Sequence, residues 1–425
     1  MARLVLSLLV LGAQALATVT GPSHNDAESQ FKRGFDLFRL EAYPQALAFF
    51  EKAIDKNPRY AEAYFQSGWC YSRLGRYQEA VNAYSKAIAL QPDYFEAHNS
   101  LCWTYGKLSR WTEAVSTCSE ALAMRPSLEA FNNLGRAYGK LGLWTEAIEV
   151  FSRAIAIWPD FPEALNNVGW AYASLDRYTE SIEAYQRAIS LRPTFAEAHY
   201  NLARVYLSLG RSRDIEMDAL RTNAPKLSYP QAKRDTDFVD ERSSYYQKAK
   251  ESYLESTKVG PNFAKAYNEL GWVCGRLGQW QEAQEAYLQA IRLKADYVEA
   301  HHNLGTAYSA EGQWEAAAKA FQAAIRIKHD FAPAHLGLAV AQGKMGRYGK
   351  AITACKQAIR IQPDLPEAHY HLGVFYLTVG DLRSALEERR NIERLNPSLA
   401  SQFANLIPNR YTLKAPGTGT SRALP

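Results

Sequence analysis

A 34-residue period constrains this chain more than any other feature. The segment 61–94, AEAYFQSGWCYSRLGRYQEAVNAYSKAIALQPDY, returns at 264–297 as AKAYNELGWVCGRLGQWQEAQEAYLQAIRLKADY. In-phase units begin at residues 27, 61, 95, 128, 162, 196, 264, 298, 332 and 366, so ten copies cover 27–399. The third copy has 33 residues and the sixth has 68. Length alone would suggest about three globular domains at ~150 residues each. A short repeat builds something else: a stack in which neighbours bury the apolar face that one copy cannot bury alone. Hydrophobic residues make up 47% of the chain, enough to supply that continuous core.

Each copy reads as two helices pressed together. The eighth position is Gly34, Gly68, Cys102, Gly135, Gly169, Ala203, Gly271, Gly305, Ala339 and Gly373. The twentieth is Ala46, Ala80, Ala114, Ala147, Ser181, Ala249, Ala283, Ala317, Ala351 and Ala385. Glycine inside a helix costs ~1 kcal/mol against alanine, so its recurrence implies a close helix approach that offsets the cost. Proline closes eight of the ten copies, from Pro58 to Pro397, and stops the second helix. Ala295 and His329 stand in its place in the seventh and eighth, where the second helix is expected to run on.

These columns resemble the tetratricopeptide repeat family over 27–399. The resemblance implies an all-α fold, a right-handed superhelical solenoid of helix pairs whose concave groove is lined by first helices. It also implies a binding role without catalysis.

The flanking segments carry their own signals. Residues 1–17 have a positive start at Arg3, a short apolar run and Ala15-Leu16-Ala17. That pattern is a secretory signal peptide, with cleavage expected after Ala17 and a secreted or periplasmic product. Residues 18–26 read as a linker. Residues 398–407 read as a capping helix with Ser398 as N-cap, ending by 408, and 409–425 as a flexible tail. The sixth copy is interrupted at 212–245 by 34 residues with six basic and seven acidic side chains, Pro225 and Pro230. Residues 213–222 are expected to form a short helix and the remainder a loop, either a passive surface loop or a partner-contact arm.

Several functions fall away. Lys and Arg number 49 against 44 Asp and Glu, a surplus too small to mark a nucleic-acid protein. No apolar run is long enough to span a bilayer. No H-E-x-x-H, C-x-x-C or G-x-S-x-G motif occurs, so no catalytic residue, metal or cofactor is expected. Histidines recur at the fourth position (His98, His199, His301, His335, His369), which suggests packing on the preceding copy rather than metal ligation. Cys102 and Cys118 face each other across the third pair, either as a disulfide in an oxidising compartment or as two buried thiols. Cys70, Cys274 and Cys355 each sit alone in their copy as packing residues.

The groove columns implied by the resemblance hold the candidate binding residues. A polar row comprises Asn133, Asn167, Asn201 and Asn303 at the sixth position, with Asn99, Asn132, Asn166 and Asn268 at the fifth. Asparagine is a mediocre helix former, but its amide both donates and accepts, which suits an extended peptide backbone. The row is similar to the asparagine ladder in the repeats of O-linked N-acetylglucosamine transferases, although this sequence has no glycosyltransferase domain. An aromatic row comprises Phe35, Trp69, Trp103, Trp170 and Trp272. A basic row comprises Arg39, Arg73, Lys107, Lys140, Arg276 and Lys344, near helix ends where the dipole also favours a cation. The expected partner is an extended protein or peptide segment. The alternative is a polysaccharide stacked on tryptophan faces, in a complex that exports or modifies it.

Overall fold

The computed structural model of the chain describes residues 22–223 and 229–407. The predicted leader and the 409–425 tail lie outside them. All regular structure among the described residues is helical. The helices divide into two compact units, one ending at Arg192 and one beginning at Pro193.

In the N-terminal unit the five pairs are Pro22–Arg39 with Tyr43–Lys56, Ala61–Arg73 with Tyr77–Leu90, Phe95–Lys107 with Trp111–Met124, Leu128–Lys140 with Trp144–Ile157, and Pro162–Ser174 with Tyr178–Leu191. The first helix starts at Pro22 rather than at residue 27, with Ala27 on its packed face. In the C-terminal unit they are Ala196–Asn223 with Tyr229–Val259, Ala264–Arg276 with Trp280–Leu293, Val298–Ala310 with Trp314–Ile327, Ala332–Lys344 with Tyr348–Ile361, and Pro366–Val379 with Leu382–Leu395, followed by Pro397–Ala404. Within each unit successive first helices also touch one another, while a second helix packs mainly on its own partner and the next first helix. First helices therefore line the inner side of each stack.

The close approach has a specific cause. A Cβ added at Gly68 would lie 2.7 Å from the Tyr84 ring, and one at Gly34 would lie 2.8 Å from Phe50. The eighth position is thus the seat for an aromatic ring at the twenty-fourth. In the third repeat Cys102 and Cys118 occupy those two places, and the structure joins them as a disulfide with Cα atoms 5.3 Å apart. In the tenth repeat the twenty-fourth residue is Arg389, and the ring over Gly373 comes from Phe403 of the capping helix.

The turn between the two helices needs one residue with positive φ. Glycine supplies it at six turns, but Glu41, Ser109 and Asp176 adopt φ of 58°, 57° and 56°. An L-residue there costs roughly 1–2 kcal/mol. Asp176 recovers part of this by accepting a 2.6 Å hydrogen bond from Tyr178, whereas the exposed Glu41 side chain makes no such bond. Glu41→Gly is therefore expected to stabilise the N-terminal unit by about 1 kcal/mol. A urea midpoint that stays put or falls would contradict this.

Three expectations are corrected. The helices before Ala295 and His329 do not run on; they stop at Leu293 and Ile327. His301 and His335 brace those turns instead, each ring donating from Nε2 to the carbonyl of Ala295 (3.0 Å) or His329 (2.9 Å). The capping helix takes Asn396, not Ser398, as N-cap: its side chain accepts from the Leu399 N–H at 3.1 Å. Pro397 fills the first helical position, where an N–H is not needed. The segment 212–245 is not mainly a loop. Both helices of the sixth repeat continue into it, leaving only 224–228 outside the described residues. The first runs for 28 residues against the usual 13, an extension of about 22 Å at 1.5 Å per residue. Pro230 sits in the first turn of the second helix, where proline is tolerated. At the base Arg213 bridges Glu216 (2.6 Å) and Glu241 (3.1 Å), tying the two helices together.

Candidate functional site on the first-helix faces

The asparagines pair mainly with one another. Asn167 donates to Asn132 Oδ1 at 2.7 Å across the fourth and fifth repeats. Asn303 donates to Asn268 Oδ1 at 3.1 Å across the seventh and eighth. Asn166 and Asn268 are only 3% and 5% exposed, so they belong to the inter-repeat core rather than to a groove surface. Asn133 stands to Asn99 in the same register, but no hydrogen bond joins them, and Asn99 Oδ1 is buried without a partner. Asn201 lies in the C-terminal unit, on a shallow open recess with Tyr200, Phe263 and Lys265. Asn132 with Asn167 and Asn268 with Asn303 thus form pairs across successive repeats, with Asn133 half-buried beside the first of them.

The aromatic row packs backwards. Trp69 meets Tyr43 at 5.9 Å and Phe38 edge-on at 4.6 Å. Trp170 meets Trp144 edge-on at 4.8 Å, and Trp272 meets Tyr246 at 6.1 Å. Phe35 stacks on Phe38 at 5.9 Å within its own helix. Trp103 meets Tyr77 at 6.0 Å but stays 37% exposed. Most of these partners come from the seventeenth position, the start of the second helix. That column (Tyr43, Tyr77, Trp111, Trp144, Tyr178, Tyr246, Trp280, Trp314, Tyr348) escaped the sequence reading, although its aromatic character repeats with the period.

The basic row divides between the units. Arg73 lies over Trp69 at 5.3 Å and Lys107 over Trp103 at 4.9 Å, each a cation on the ring one turn before it. Arg39 and Lys140 are exposed. Arg276, by contrast, donates to Asp214 at 2.5 Å. The same carboxylate accepts from the Tyr246 hydroxyl and from Arg242 at 3.4 Å. Arg276 thus anchors the extended helices of the sixth repeat to the seventh repeat and does not offer a free charge. Lys344 lies 5.9 Å over Trp314.

All five fourth-position histidines act as braces. His98, His199 and His369 reach the carbonyls of Pro92, Pro193 and Pro363 at 3.0, 3.0 and 3.1 Å, as His301 and His335 do at their turns. His369 also places Nδ1 2.5 Å from Glu388, and that hydrogen bond holds its pKa above the usual histidine value. A raised folded-state pKa means stability that is fully present below about pH 6.5 and lost as pH rises through the folded value. His302 and His371 are pushed down by burial, so they act in the opposite sense as the medium is acidified. Comparing the protein with His369→Gln removes those opposing contributions. The difference in denaturant midpoint is expected to favour His369 at pH 6 and to shrink by pH 8; a difference that grows with pH would refute it.

Cys70, Cys274 and Cys355 are buried, and burial pushes their thiols up to about 12, 11 and 12. Among the described residues no cluster of three or more His, Cys, Asp or Glu is arranged to hold a metal ion. No described helix is long and apolar enough to cross a membrane.

A family model described as TPR repeat matches residues 135–176, 169–210, 273–310, 305–346 and 344–380. A model described as tetratricopeptide repeat matches 61–94. Together they span about half of the chain. No curated protein matches it. Among solved structures, the chain is similar to YrrB, described as a TPR protein with an unusual peptide-binding site. Identity is 22% over 52% of this chain and 96% of that one, with a TM-score of 0.41. It is similar to pilF of Pseudomonas aeruginosa at 16% identity, over 58% of this chain and 97% of that one, with a TM-score of 0.42. For yeast Tom70 the figures are 14%, 89%, 94% and 0.35. These likenesses concern the fold alone.

Proposed function

We propose that this chain, which belongs to the tetratricopeptide repeat family, is a non-catalytic scaffold of an extracytoplasmic compartment. It holds an extended protein segment on the first-helix face of its N-terminal unit. The observation that carries the reading is Trp103. Among the described residues it is the one tryptophan with a large exposed apolar surface, 37%, and it sits on the inner side of the stack. Asn133, on the next first helix, has a half-buried amide with no hydrogen-bond partner among the described residues and can bond a peptide backbone. The Cys102–Cys118 disulfide and the leader-like residues 1–17 support a location outside the cytosol.

The test is cross-linking capture from an extracytoplasmic extract, using the full chain exported with its own leader and a Trp103→Ala/Asn133→Ala variant. A protein captured by the first and lost by the second supports the scaffold. Equal capture overturns the site, and capture of glycan alone would transfer it to the polysaccharide alternative. Mass spectrometry of the exported chain should find Thr18 as its first residue; retention of 1–17 would refute the compartment.

A further inference from the structure

We infer that the segment held by the N-terminal unit is acidic, its carboxylates meeting a run of unpaired cations at the thirteenth position of the first four repeats. The inference rests on the reading that an extended segment lies on this face, and it names that segment's chemistry.

Arg39, Arg73, Lys107 and Lys140 occupy equivalent places on four consecutive first helices, all exposed. None forms an ion pair with a described carboxylate, whereas several other arginines of the same unit do. Arg76 pairs with Glu79 at 3.0 Å, Arg110 with Glu113 at 2.8 Å, and Arg125 with Glu96 at 2.8 Å. The glutamates at the start of the second helices in repeats two and three are thereby neutralised, and the thirteenth-position cations remain uncompensated.

The helix dipole does not account for the run. It acts on every first helix, yet the thirteenth residue is Ser174, Ser208, Ala310 and Thr378 in repeats five, six, eight and ten. In the C-terminal unit Arg276 is bound by Asp214, so the uninterrupted free row belongs to the N-terminal unit. Two of its members are already positioned, Arg73 on Trp69 and Lys107 on Trp103. An acid arriving at Lys107 brings its neighbours against the exposed indole.

Spacing sets the pattern of the ligand. Packed helices lie about 8–10 Å apart, and an extended chain advances about 3.3 Å per residue. Successive cations are then met by acids roughly three residues apart.

The probe is a fluorescent peptide of five Glu-Ala-Ala triplets, titrated against the full chain by anisotropy. The variant Arg73→Glu/Lys107→Glu is compared with Lys319→Glu/Lys350→Glu. The latter makes the same change in net charge on exposed second-helix residues of the C-terminal unit. The peptide is expected to bind and to weaken as salt screens the charges. The first variant should lose at least tenfold in affinity and the second less than twofold. Arg73→Gln/Lys107→Gln, which preserves most of each side-chain stem, should also lose affinity. Absence of binding, or equal losses in both charge-reversal variants, overturns the inference. So does polygalacturonate binding more tightly per carboxylate through the same two residues, which would give the row to an anionic polysaccharide. The natural partner separates this inference from the scaffold reading. Loss with Trp103→Ala/Asn133→Ala but full capture by Arg73→Glu/Lys107→Glu keeps the scaffold and removes the acidic segment. Loss with both supports the two together.

Discussion

Phe403→Ala is expected to destabilise the end of the C-terminal unit by about 3–5 kcal/mol, the usual range for removing a fully buried phenylalanine. Phe403 has no exposed surface and stands where the repeat pattern calls for a ring at the twenty-fourth position. Arg389 occupies that position in the tenth repeat and cannot fill a dry seat over glycine. Gly373 has no side chain to close the gap, and a Cβ placed there would lie 2.7 Å from the Phe403 ring. Tyr370 packs edge-on at 5.8 Å, and Ile392, Ala400 and Ile407 complete the cluster. Truncation leaves a cavity beneath the capping helix, the last of the described helices in this stack. Hydrogen exchange should show lost protection over residues 366–404 while repeats one to five keep theirs. Unchanged protection in 366–404 would refute the seat.

Reduction of Cys102–Cys118 is expected to cost about 3 kcal/mol, since the bond closes a loop with a sequence separation of 16. The site adds a sharper test. Other repeats fill the same two positions with glycine and an aromatic ring, as Gly68 does with Tyr84 and Gly271 with Tyr287. Cys102→Ala/Cys118→Ala loses both the covalent link and the packing volume. Cys102→Gly/Cys118→Tyr restores the neighbours' solution and should recover most of the loss without any bond. Urea midpoints of oxidised protein, reduced protein and the two variants give the order: oxidised highest, Gly/Tyr next, Ala/Ala lowest. If Ala/Ala matched the oxidised protein, the pair would have no structural weight. If Gly/Tyr fell below Ala/Ala, the two kinds of site would not be equivalent.

Much of the site's supporting frame was legible in residues that recur with the period. The histidine column pointed to packing on the preceding repeat, and five rings do brace the turn six residues before them. The asparagine column was legible as a row but not as pairs. A period says that Asn132 and Asn167 are equivalent places on successive helices; it does not say that their amides bond each other. The same limit hid the seventeenth column, whose rings are the floor under the groove tryptophans. Arg276 and Lys107 looked alike in sequence. One meets a carboxylate and the other lies beside an exposed ring, and only the sixth repeat's extension explains the difference.

The sequence by itself determined the helical pair, its count and its interior, because those depend on contacts within one period, which repetition averages and amplifies. It also placed the seat at the eighth position, since glycine in a helix is costly unless something large lies against it. Tertiary structure decided what depends on a particular neighbour. It made 212–223 and 229–245 helical, with Asp214 held at their base against two arginines and a tyrosine. It supplied the ring over Gly373 from the capping helix. Those outcomes follow from side-chain distances of a few ångströms between residues that no periodic pattern brings together.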